Sequence, residues 1–536
     1  MTKKTVLTIA AALMATASYA ANPDAGTTLS DNQTFTYRVL DEFPTLDPQL
    51  VEETVGADIT RDLFEGLLNQ DKDGNLIPGV ALSYEATDGN KVFTFKLRED
   101  AKWSNGDPVT AHDFVYGWQR AADPANASPY AWFMELTTVE NAKEIIAGEK
   151  EPSEMGIRAI DDTTLEITLT ESLPYFPSMT THYTLFPAPQ KVIEELGKDW
   201  TKPGNMVSNG AYILTAHVPN EYSVRERNPM YWDNDKTIIE KVTAMVINDE
   251  NIALTRYQAD ELDWTDVPAG QYPRLKEEYP DEATSVPRLC SYYYTFNQSD
   301  RGPDFFDDVR VRKALSLAID RDVIVDKVLQ GGQYPAYNFA HRSTANFELP
   351  YIDYAEVSQA ERDAMAKELL TEAGYGPDNP LQFDMLYNSS DSHKKIAIAM
   401  SQMWKQKLGV EATLANMEWK TFLDVRGKQD YEMARGAWCG DYNEASTFLD
   451  LLTTESGYND GKYSNEKVDA LMKEARTLQD PSANYTEVEK QLAIDMPVIP
   501  IYHYTTVFML DPTIKGWPYD NVERTWYAKD LYRVAD

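Results

Sequence analysis

The 536-residue chain has few of the side chains that catalysis and metal binding most often use. It contains two cysteines and six histidines, which do not support a zinc cluster. No HExxH, GxSxG or GxxxxGK[ST] motif occurs, and no GxGxxG follows a strand; these are common protease, hydrolase and nucleotide-binding signatures. We therefore expect no enzyme, no metal and no cofactor, and keep a secreted hydrolase as the alternative from another class.

Basic residues are also scarce. The chain has 50 Lys and Arg against 86 Asp and Glu, a formal charge of −36. Removing the first 20 residues, which hold two lysines and no acidic residue, would bring the charge to −38. Nucleic acid and anionic membrane surfaces attract proteins of the opposite sign, so neither is expected as a partner.

Long apolar runs are confined to the amino terminus. Lys3 and Lys4 precede an apolar stretch, and Ser18-Tyr19-Ala20 has the small-x-small pattern of a signal-peptide cleavage site. We expect cleavage after Ala20, no lipid anchor because no cysteine lies near that junction, and export to a Gram-negative periplasm. No later run approaches 18 apolar residues, so the mature chain is not expected to be embedded in a membrane.

The two cysteines are expected to pair, because the periplasm is oxidising. Cys290 and Cys439 are separated by 149 residues, and the chain-entropy model puts such a bridge at roughly 4–5 kcal/mol. The bridge would fix the stretch 434–444 against the predicted strand 289–297. This favours residues 290–505 as one lobe.

The stretch 434–444, ARGAWCGDYNE, combines side chains that suit a free peptide. Asp441 can pair with an α-ammonium, Arg435 with a terminal carboxylate, and Trp438 can line an apolar slot. Each residue also has an ordinary explanation, since tryptophans often fill cores and exposed Arg and Asp are often only solvated. The 32 tyrosines and 11 tryptophans favour a binding cleft and a large β-containing protein equally.

Apolar periodicity predicts an α/β protein in several lobes. Phe93, Phe95 and Leu97 alternate with polar residues, as in a half-buried strand. Asp58 and Asp308 are candidate helix caps. Helices are predicted at 58–68, 307–332, 358–374, 393–409 and 464–478, strands at 34–40, 165–170, 289–297 and 498–510, and a loop at 434–444.

Long blocks of the sequence resemble the family-5 extracellular solute-binding proteins, which deliver ligands to ABC importers. The segment 78–120, PGVALSYEATDGNKVFTFKLREDAKWSNGDPVTAHDFVYGWQR, carries the resemblance most clearly. Further blocks are NPMYWDNDKT (228–237), FDDVRVRKALSLAIDRDVIV (306–325), KELLTEAGY (367–375) and EWKTFLDVR (418–426). ARGAWCGDYNE and the cysteine pair narrow the likeness to the periplasmic oligopeptide-binding branch of this family.

This resemblance implies a three-lobed periplasmic-binding-protein fold in which two lobes close on the ligand about a two-segment hinge. The implied lobes are residues 21–64, 190–289 and 506–536 (lobe I), 65–189 (lobe II) and 290–505 (lobe III), after the signal peptide at 1–20. The hinge would lie near 289–290 and 505–506. The implied partners are short peptides and an inner-membrane ABC permease complex, with the receptor acting as a monomer.

The resemblance also implies roles for individual residues. Asp441 would bind the peptide's α-ammonium, while Trp438 and Cys439 would form a wall along which the peptide runs as an added strand. Groups implied to meet the ligand carboxylate are Arg435, Arg426 and His393, and those implied to line side-chain pockets are Tyr130, Glu52, Tyr293 and Tyr504. Alternatively, Tyr293 and Tyr504 pack the hinge. His393 would then only open its helix, and Glu52 would be solvated.

The sequence departs from the pattern of this branch in three places. Leu329 stands where oligopeptide binders can carry a lysine, Asp266 and Val267 where a pair of asparagines is common, and His503 where a tyrosine is common. These departures leave ligand length and side-chain preference open. Receptors for murein tripeptide or dipeptides are the alternative within the family.

Overall fold

The computed structural model describes residues 21–478 and 480–535 and divides into two compact units. The first unit extends to Val246 and is completed by Thr513–Asn521 and the residues from Thr525 onward. The second unit comprises Ile247–Pro512 and Val522–Arg524. The predicted signal peptide lies outside the described residues, and the bounds of the three lobes stay a prediction.

Within the described residues, the first unit contains two four-stranded arrays, two two-stranded sheets and six α-helices. Its strands are β1 Thr34–Val39, β2 Leu68–Gln70, β3 Leu76–Pro78, β4 Ala81–Thr87, β5 Val92–Leu97, β6 Ile157–Asp161, β7 Thr164–Thr168, β8 Tyr212–Val218, β9 Tyr222–Arg227, β10 Lys241–Val246, β18 Ile514–Lys515 and β19 Tyr532–Arg533. Its helices are α1 Thr54–Leu63, α2 Ala111–Ala122, α3 Ala131–Leu136, α4 Ala142–Ile146, α5 Phe176–Met179 and α6 Gln190–Leu196. One sheet has the order β1-β10-β9-β8 and the other is the antiparallel β4-β5-β7-β6.

The second unit is built on one mixed sheet covered by helices. Its strands are β11 Trp264–Asp266, β12 Ala283–Phe296, β13 Tyr334–Pro335, β14 Gln382–Asn388, β15 Glu411–Met417, β16 Met433–Cys439 and β17 Val498–Leu510. Its helices are α7 Glu250–Tyr257, α8 Tyr272–Glu278, α9 Val309–Leu317, α10 Arg321–Val323, α11 Gln359–Glu372, α12 Asp391–Leu408, α13 Trp419–Gly427, α14 Ser446–Leu449, α15 Glu466–Ala475 and α16 Ser482–Asp495. The strand order is β15-β14-β16-β12-β17-β11, with β13 paired to β17.

Local sequence signals explain several of these elements. In β5 the side chains of Phe93, Phe95 and Leu97 are buried, as their alternation predicts. The cap of α9 is Asp308, whose carboxylate accepts a hydrogen bond from the Arg310 N–H, as predicted. The helix α12 begins after the Ser390 cap and ends at Gly409, which adopts φ +70°.

Three sequence predictions are wrong in detail. The first helix begins at Thr54 and not at Asp58, because Glu53 accepts hydrogen bonds from the Val55 and Gly56 N–H groups and caps it. The helix predicted over 307–332 stops at Leu317, and Asp320 caps a new start that continues as a π-helical turn, Ile324–Leu329. The stretch 434–444 is a loop only after Cys439, since β16 occupies its first half.

The Glu53 cap has a consequence for stability against pH. Burial raises the pKa of Glu53 to about 8 from 4.5, against the lowering effect of its two backbone hydrogen bonds. Between these values the folded state holds a proton that the unfolded state has released. The stability from this group is therefore complete below pH 4.5 and lost as pH rises towards 8, with a limiting slope of about 1.4 kcal/mol per pH unit.

We expect a Glu53→Gln variant to have a flatter dependence of thermal midpoint on pH between 5 and 8 than the unmodified protein. Differential scanning calorimetry at half-unit pH steps measures this difference. Glu418→Gln is the matched control, because Glu418 caps α13 through the Lys420 and Thr421 N–H groups but is exposed. Equal slopes for all three proteins would contradict the expectation.

Candidate functional site

The strand β16 carries most of the residues singled out from the sequence. Along its whole length it pairs antiparallel with β12, from Met433 opposite Phe296 to Cys439 opposite Cys290. The strand β14 pairs with β16 at Met433 and Ala434. From residue 435 to 439, β12 is therefore the one strand paired with β16 in the described part of the second unit. The other edge of this segment is open to a further strand.

The predicted disulfide is present. Cys290 and Cys439 lie directly opposite each other on β12 and β16, with a Cα–Cα distance of 4.0 Å and an S–S bond of 2.07 Å. The bridge joins the end of β16 to the strand beside it. It thereby fixes the point at which the chain leaves β16 for Asp441.

Arg435 is a buried cation at the start of the open segment. Its side chain is 6% exposed, its Nη2 donates to the Tyr504 hydroxyl at 2.8 Å, and its guanidinium lies 4.9 Å from the centroid of the Tyr292 ring. No carboxylate among residues 21–478 and 480–535 forms an ion pair with it, and its buried Nε has no hydrogen-bond partner there. A buried guanidinium without an anion is costly, so Arg435 is suited to a carboxylate from a ligand.

His393 lies beside this cation, in the first turn of α12. Its ring centroid is 5.5 Å from that of Tyr292, and its enclosed Nδ1 has no hydrogen-bond partner among the described residues. Exclusion of water, and then the positive charge of Arg435, lower the pKa of His393 well below its usual 6.5. The ring is therefore neutral at pH 7 and offers a hydrogen bond rather than a charge. His393 therefore lies in the first turn of α12, and its ring packs against Tyr292, the tyrosine that also contacts Arg435.

Arg426 has an anion within the protein, unlike Arg435. Its Nε donates to Asp460 Oδ2 at 2.6 Å, and its guanidinium lies 5.3 Å from the centroid of the Tyr458 ring. Trp438 packs against the same tyrosine, with its ring centroid 4.9 Å from that of Tyr458. A direct role for Arg426 in holding a ligand carboxylate stays a prediction, and the geometry favours Arg435 for that role.

Asp441 follows β16 after a single glycine. Gly440 N–H donates to the Leu289 carbonyl at 2.8 Å, and Asp441 N–H donates to Thr447 Oγ1 at 2.9 Å. These two bonds fix the backbone on both sides of the turn. The Asp441 side chain is half-buried. Six residue steps separate it from Arg435, at most about 20 Å in an extended chain.

Gly436 is required by the close approach of Tyr293 from the opposing strand. A Cβ at Gly436 would lie 2.4 Å from two atoms of the Tyr293 ring. The ring is 6% exposed and packs edge-on against Phe339, with centroids 5.0 Å apart. Tyr293 is therefore held by packing against Phe339, and its role in lining a ligand pocket stays a prediction.

We expect Gly436→Ala to destabilise the protein by about 1–3 kcal/mol, the usual cost of overpacking a tight site. Chemical denaturation monitored by tryptophan fluorescence measures the loss. Gly427→Ala serves as the control, because a Cβ there meets no atom within 4 Å. A Gly436→Ala variant as stable as the control would show that the Tyr293 ring moves aside freely.

The remaining predicted site residues are divided between the units. Tyr504, on β17, is half-buried and bonds Arg435. Tyr130 and Glu52 belong to the first unit: Tyr130 is buried and stacked on His182 at 5.0 Å between centroids, and Glu52 is half-buried beside the α1 cap. Their place in a ligand site stays a prediction.

Sequence reasoning missed four contributors to the site. Tyr292 and Asn388 contact Arg435, while Tyr458 and Asp460 surround Arg426. All four lie more than 30 positions from the arginine they contact, and nothing in the local sequence pairs them with it. Tyr292 was visible as one of three consecutive tyrosines, but the sequence does not say which of the three meets the arginine.

The three departures noted in the sequence occupy different surroundings. Leu329 is 6% exposed and belongs to the main core of the second unit. Asp266 lies on β11 opposite Phe508. His503 is buried with its ring centroid 4.8 Å from that of His341, and its Nδ1 accepts a hydrogen bond from the Arg342 N–H.

Two kinds of site are absent from the described residues. No group of three or more His, Cys, Asp or Glu side chains between residues 21 and 535, Gln479 aside, is arranged to hold a metal ion. Across the same residues, no helix is both long and apolar enough to cross a membrane.

Comparison with known proteins gives consistent results. The profile of the bacterial extracellular solute-binding proteins, family 5, matches residues 75–460. The periplasmic oligopeptide-binding protein OppA of Salmonella typhimurium is 43% identical over 100% of this chain and 99% of its own. The structure of the Escherichia coli murein tripeptide binding protein MppA matches with a TM-score of 0.92 and 42% identity, over 95% of this chain and 100% of that chain. Haemophilus influenzae OppA in complex with RPPGFSPFR matches with a TM-score of 0.90 and 40% identity, over the same shares of the two chains.

Proposed function

The chain belongs to the bacterial extracellular solute-binding proteins of family 5, and we propose that it is a periplasmic receptor that binds short peptides in extended form. It is a binding protein and not an enzyme, as are the relatives to which it is similar. We propose that it delivers its peptides to the permease of an ABC importer.

One observation carries the proposal: an open strand edge lies between a buried cation and a carboxylate. The edge of β16 from residue 435 to 439 has backbone groups available to a peptide that adds as a strand. Arg435 stands at one end of this edge and Asp441 just beyond the other. A peptide whose ammonium meets Asp441 and whose carboxylate points towards Arg435 would run antiparallel to β16.

This arrangement accounts for broad acceptance of side chains. Backbone pairing and the two terminal charges are common to all peptides, whereas the side chains alternate away from the edge and need no specific partner. The separation of Arg435 from Asp441, at most about 20 Å, sets an upper limit of about six extended residues for a peptide that touches both. Shorter peptides would reach Arg435 through water.

The remaining assignments complete the proposal. We propose that Trp438 and Cys439 form the wall beside the peptide, that His393 and Arg426 assist in holding its carboxyl end, and that Tyr293 and Tyr504 line pockets. Tyr130 and Glu52 would contribute from the first unit. Three lobes with the sequence-derived bounds would close about 289–290 and 505–506, after a signal peptide cut behind Ala20.

Blocking the amino terminus of a ligand tests the role of its charge. We expect N-acetyl-trialanine to bind at least about 100-fold more weakly than trialanine, because the acetyl group removes the ammonium that would pair with the Asp441 carboxylate in the complex. Isothermal titration calorimetry of ligand-stripped protein measures both affinities, with trialanine amide reporting separately on the carboxyl end. Equal affinity for acetylated and free trialanine would contradict the proposal.

A receptor for murein tripeptide is the second candidate, and the similarity to the E. coli murein tripeptide binding protein favours it. Titration of murein tripeptide beside trialanine under the same conditions distinguishes the two. A preference for murein tripeptide of more than about 100-fold would assign the chain to that role. Native mass spectrometry of freshly purified protein would weigh any co-purified ligand directly.

A further inference from the structure

A cavity of about 540 Å³ lies in the second unit, and its lining includes none of the candidate site residues. It is bounded by the start of the helix from Arg321, by Pro335 and Tyr337 after the short strand β13, and by the residues that lead into α11. Its volume is within the range of small-molecule sites. We call it the Arg362 cavity, after the cation that lines it.

Arg362 is held in place by hydrogen bonds from its Nε and Nη1 atoms, which leave the N–H groups of Nη2 for a ligand. The side chain is 4% exposed, its Nη1 donates to the carbonyls of Tyr354, Ala355 and Val357, and its Nε donates to Gln359 Oε1. Its Nη2 makes no hydrogen bond to any residue in 21–478 or 480–535, and no carboxylate there pairs with it. A fixed, nearly buried guanidinium with an uncommitted N–H pair is suited to an anionic group.

Two exposed carboxylates of the helical segment 321–329 line the same cavity. Asp322 and Asp326 are both exposed and stand four residues apart, so they share one helix face. Neither forms an ion pair with a cation in the described part of the chain. Two like charges at this spacing repel each other, and a ligand ammonium would relieve that repulsion.

Because the cavity lining carries charges of both signs, it disfavours ligands whose charge is of one sign only. A free phosphate would face Asp322 and Asp326, and a simple cation would face Arg362 and Lys327, which also lines the cavity. A divalent metal is not favoured, since no group of acidic side chains in the described residues is arranged to hold one. Pro335 and Tyr337 line the same cavity and offer apolar contact, and the Tyr337 ring centroid lies 5.2 Å from the Arg362 guanidinium.

We propose that the Arg362 cavity binds a small zwitterion of amino-acid size, with its carboxylate on Arg362 Nη2, its ammonium on Asp322 and Asp326, and its apolar body against Pro335 and Tyr337. The site is separate from the β16 edge and does not depend on peptide binding there.

Saturation-transfer NMR with L-leucine as the probe tests this proposal. The protein is first saturated with trialanine to occupy the β16 edge, and leucine is compared with N-acetyl-leucine and leucinamide. We expect both blocked forms to bind at least about 10-fold more weakly than leucine, because each loses one charge-assisted contact. Leucinamide examines the Arg362 contact without a substitution, which is useful because Arg362 also holds residues 354–357 in place.

Variants locate the signal in the molecule. Asp322→Asn/Asp326→Asn is expected to weaken leucine binding at least about 10-fold, while trialanine affinity stays unchanged. Glu368→Gln/Glu372→Gln is the matched control, an exposed pair at the same spacing on α11 that does not line the cavity. Failure of leucine to bind, equal binding of the blocked forms, or the same effect in both double variants would overturn the proposal. Failure of trialanine to bind would count against the peptide-receptor function alone, since the leucine signal is read through Asp322 and Asp326.

Discussion

Asp441→Asn is expected to weaken tripeptide binding by about 3–5 kcal/mol, roughly 100- to 5000-fold, and to leave the thermal midpoint of the empty protein nearly unchanged. Loss of one partner of a buried charge pair leaves the other charge desolvated, and that penalty exceeds the value of an ordinary contact. The backbone around Asp441 is held by hydrogen bonds at Gly440 and Asp441 N–H. These bonds do not involve the carboxylate, so the turn should survive the substitution.

Calorimetry with trialanine measures the effect, and Asp378→Asn provides the control, because Asp378 is an exposed carboxylate in the same unit. The loss should also depend on the ligand. N-acetyl-trialanine has no ammonium, so its already weak binding should change little in Asp441→Asn. Unchanged affinity of the variant for trialanine would remove Asp441 from the site.

The second large effect is expected from removal of the disulfide. Cys290→Ser/Cys439→Ser should lose about 4–5 kcal/mol of stability in the unit that contains it, because the bridge closes a loop with a sequence separation of 149 residues and restricts the unfolded chain. The substitution also releases the end of β16 from β12. Tripeptide affinity should therefore fall together with stability.

Guanidinium unfolding under oxidising conditions, with tripeptide titration at low denaturant, measures both effects. The matched control is the unmodified protein with its disulfide reduced and its thiols alkylated by a small reagent, which breaks the same bridge without a change of residue. A double variant that unfolds at the same denaturant concentration as the oxidised protein would contradict the entropic argument.

The sequence predicts the individual elements better than their arrangement. Asp308 and the alternation of Phe93, Phe95 and Leu97 act over a few residues, and the structure follows both signals. The helix predicted over 307–332 failed because Asp320 offers a second cap within an otherwise continuous apolar pattern. The apolar face alone does not distinguish one long helix from two short ones.

The site shows the same limit more strongly. ARGAWCGDYNE contains two glycines, an arginine and no β-branched residue, so its strand half resembled a loop. What makes Met433–Cys439 a strand is the long partner β12, which lies more than 130 positions away in the sequence. The difference between Arg426 and Arg435 was equally hidden, because Asp460 pairs with Arg426 whereas no carboxylate among the described residues pairs with Arg435.

The open edge of β16 has a consequence for the behaviour of the purified receptor. A strand edge that pairs with no other strand can form backbone hydrogen bonds to a second copy of the same chain as well as to a peptide ligand. A bound peptide would then block self-association, and its removal would expose the strand edge to pairing with another copy. The net charge of −36 opposes this by keeping copies apart, so ligand-free preparations should tolerate concentration best at low salt.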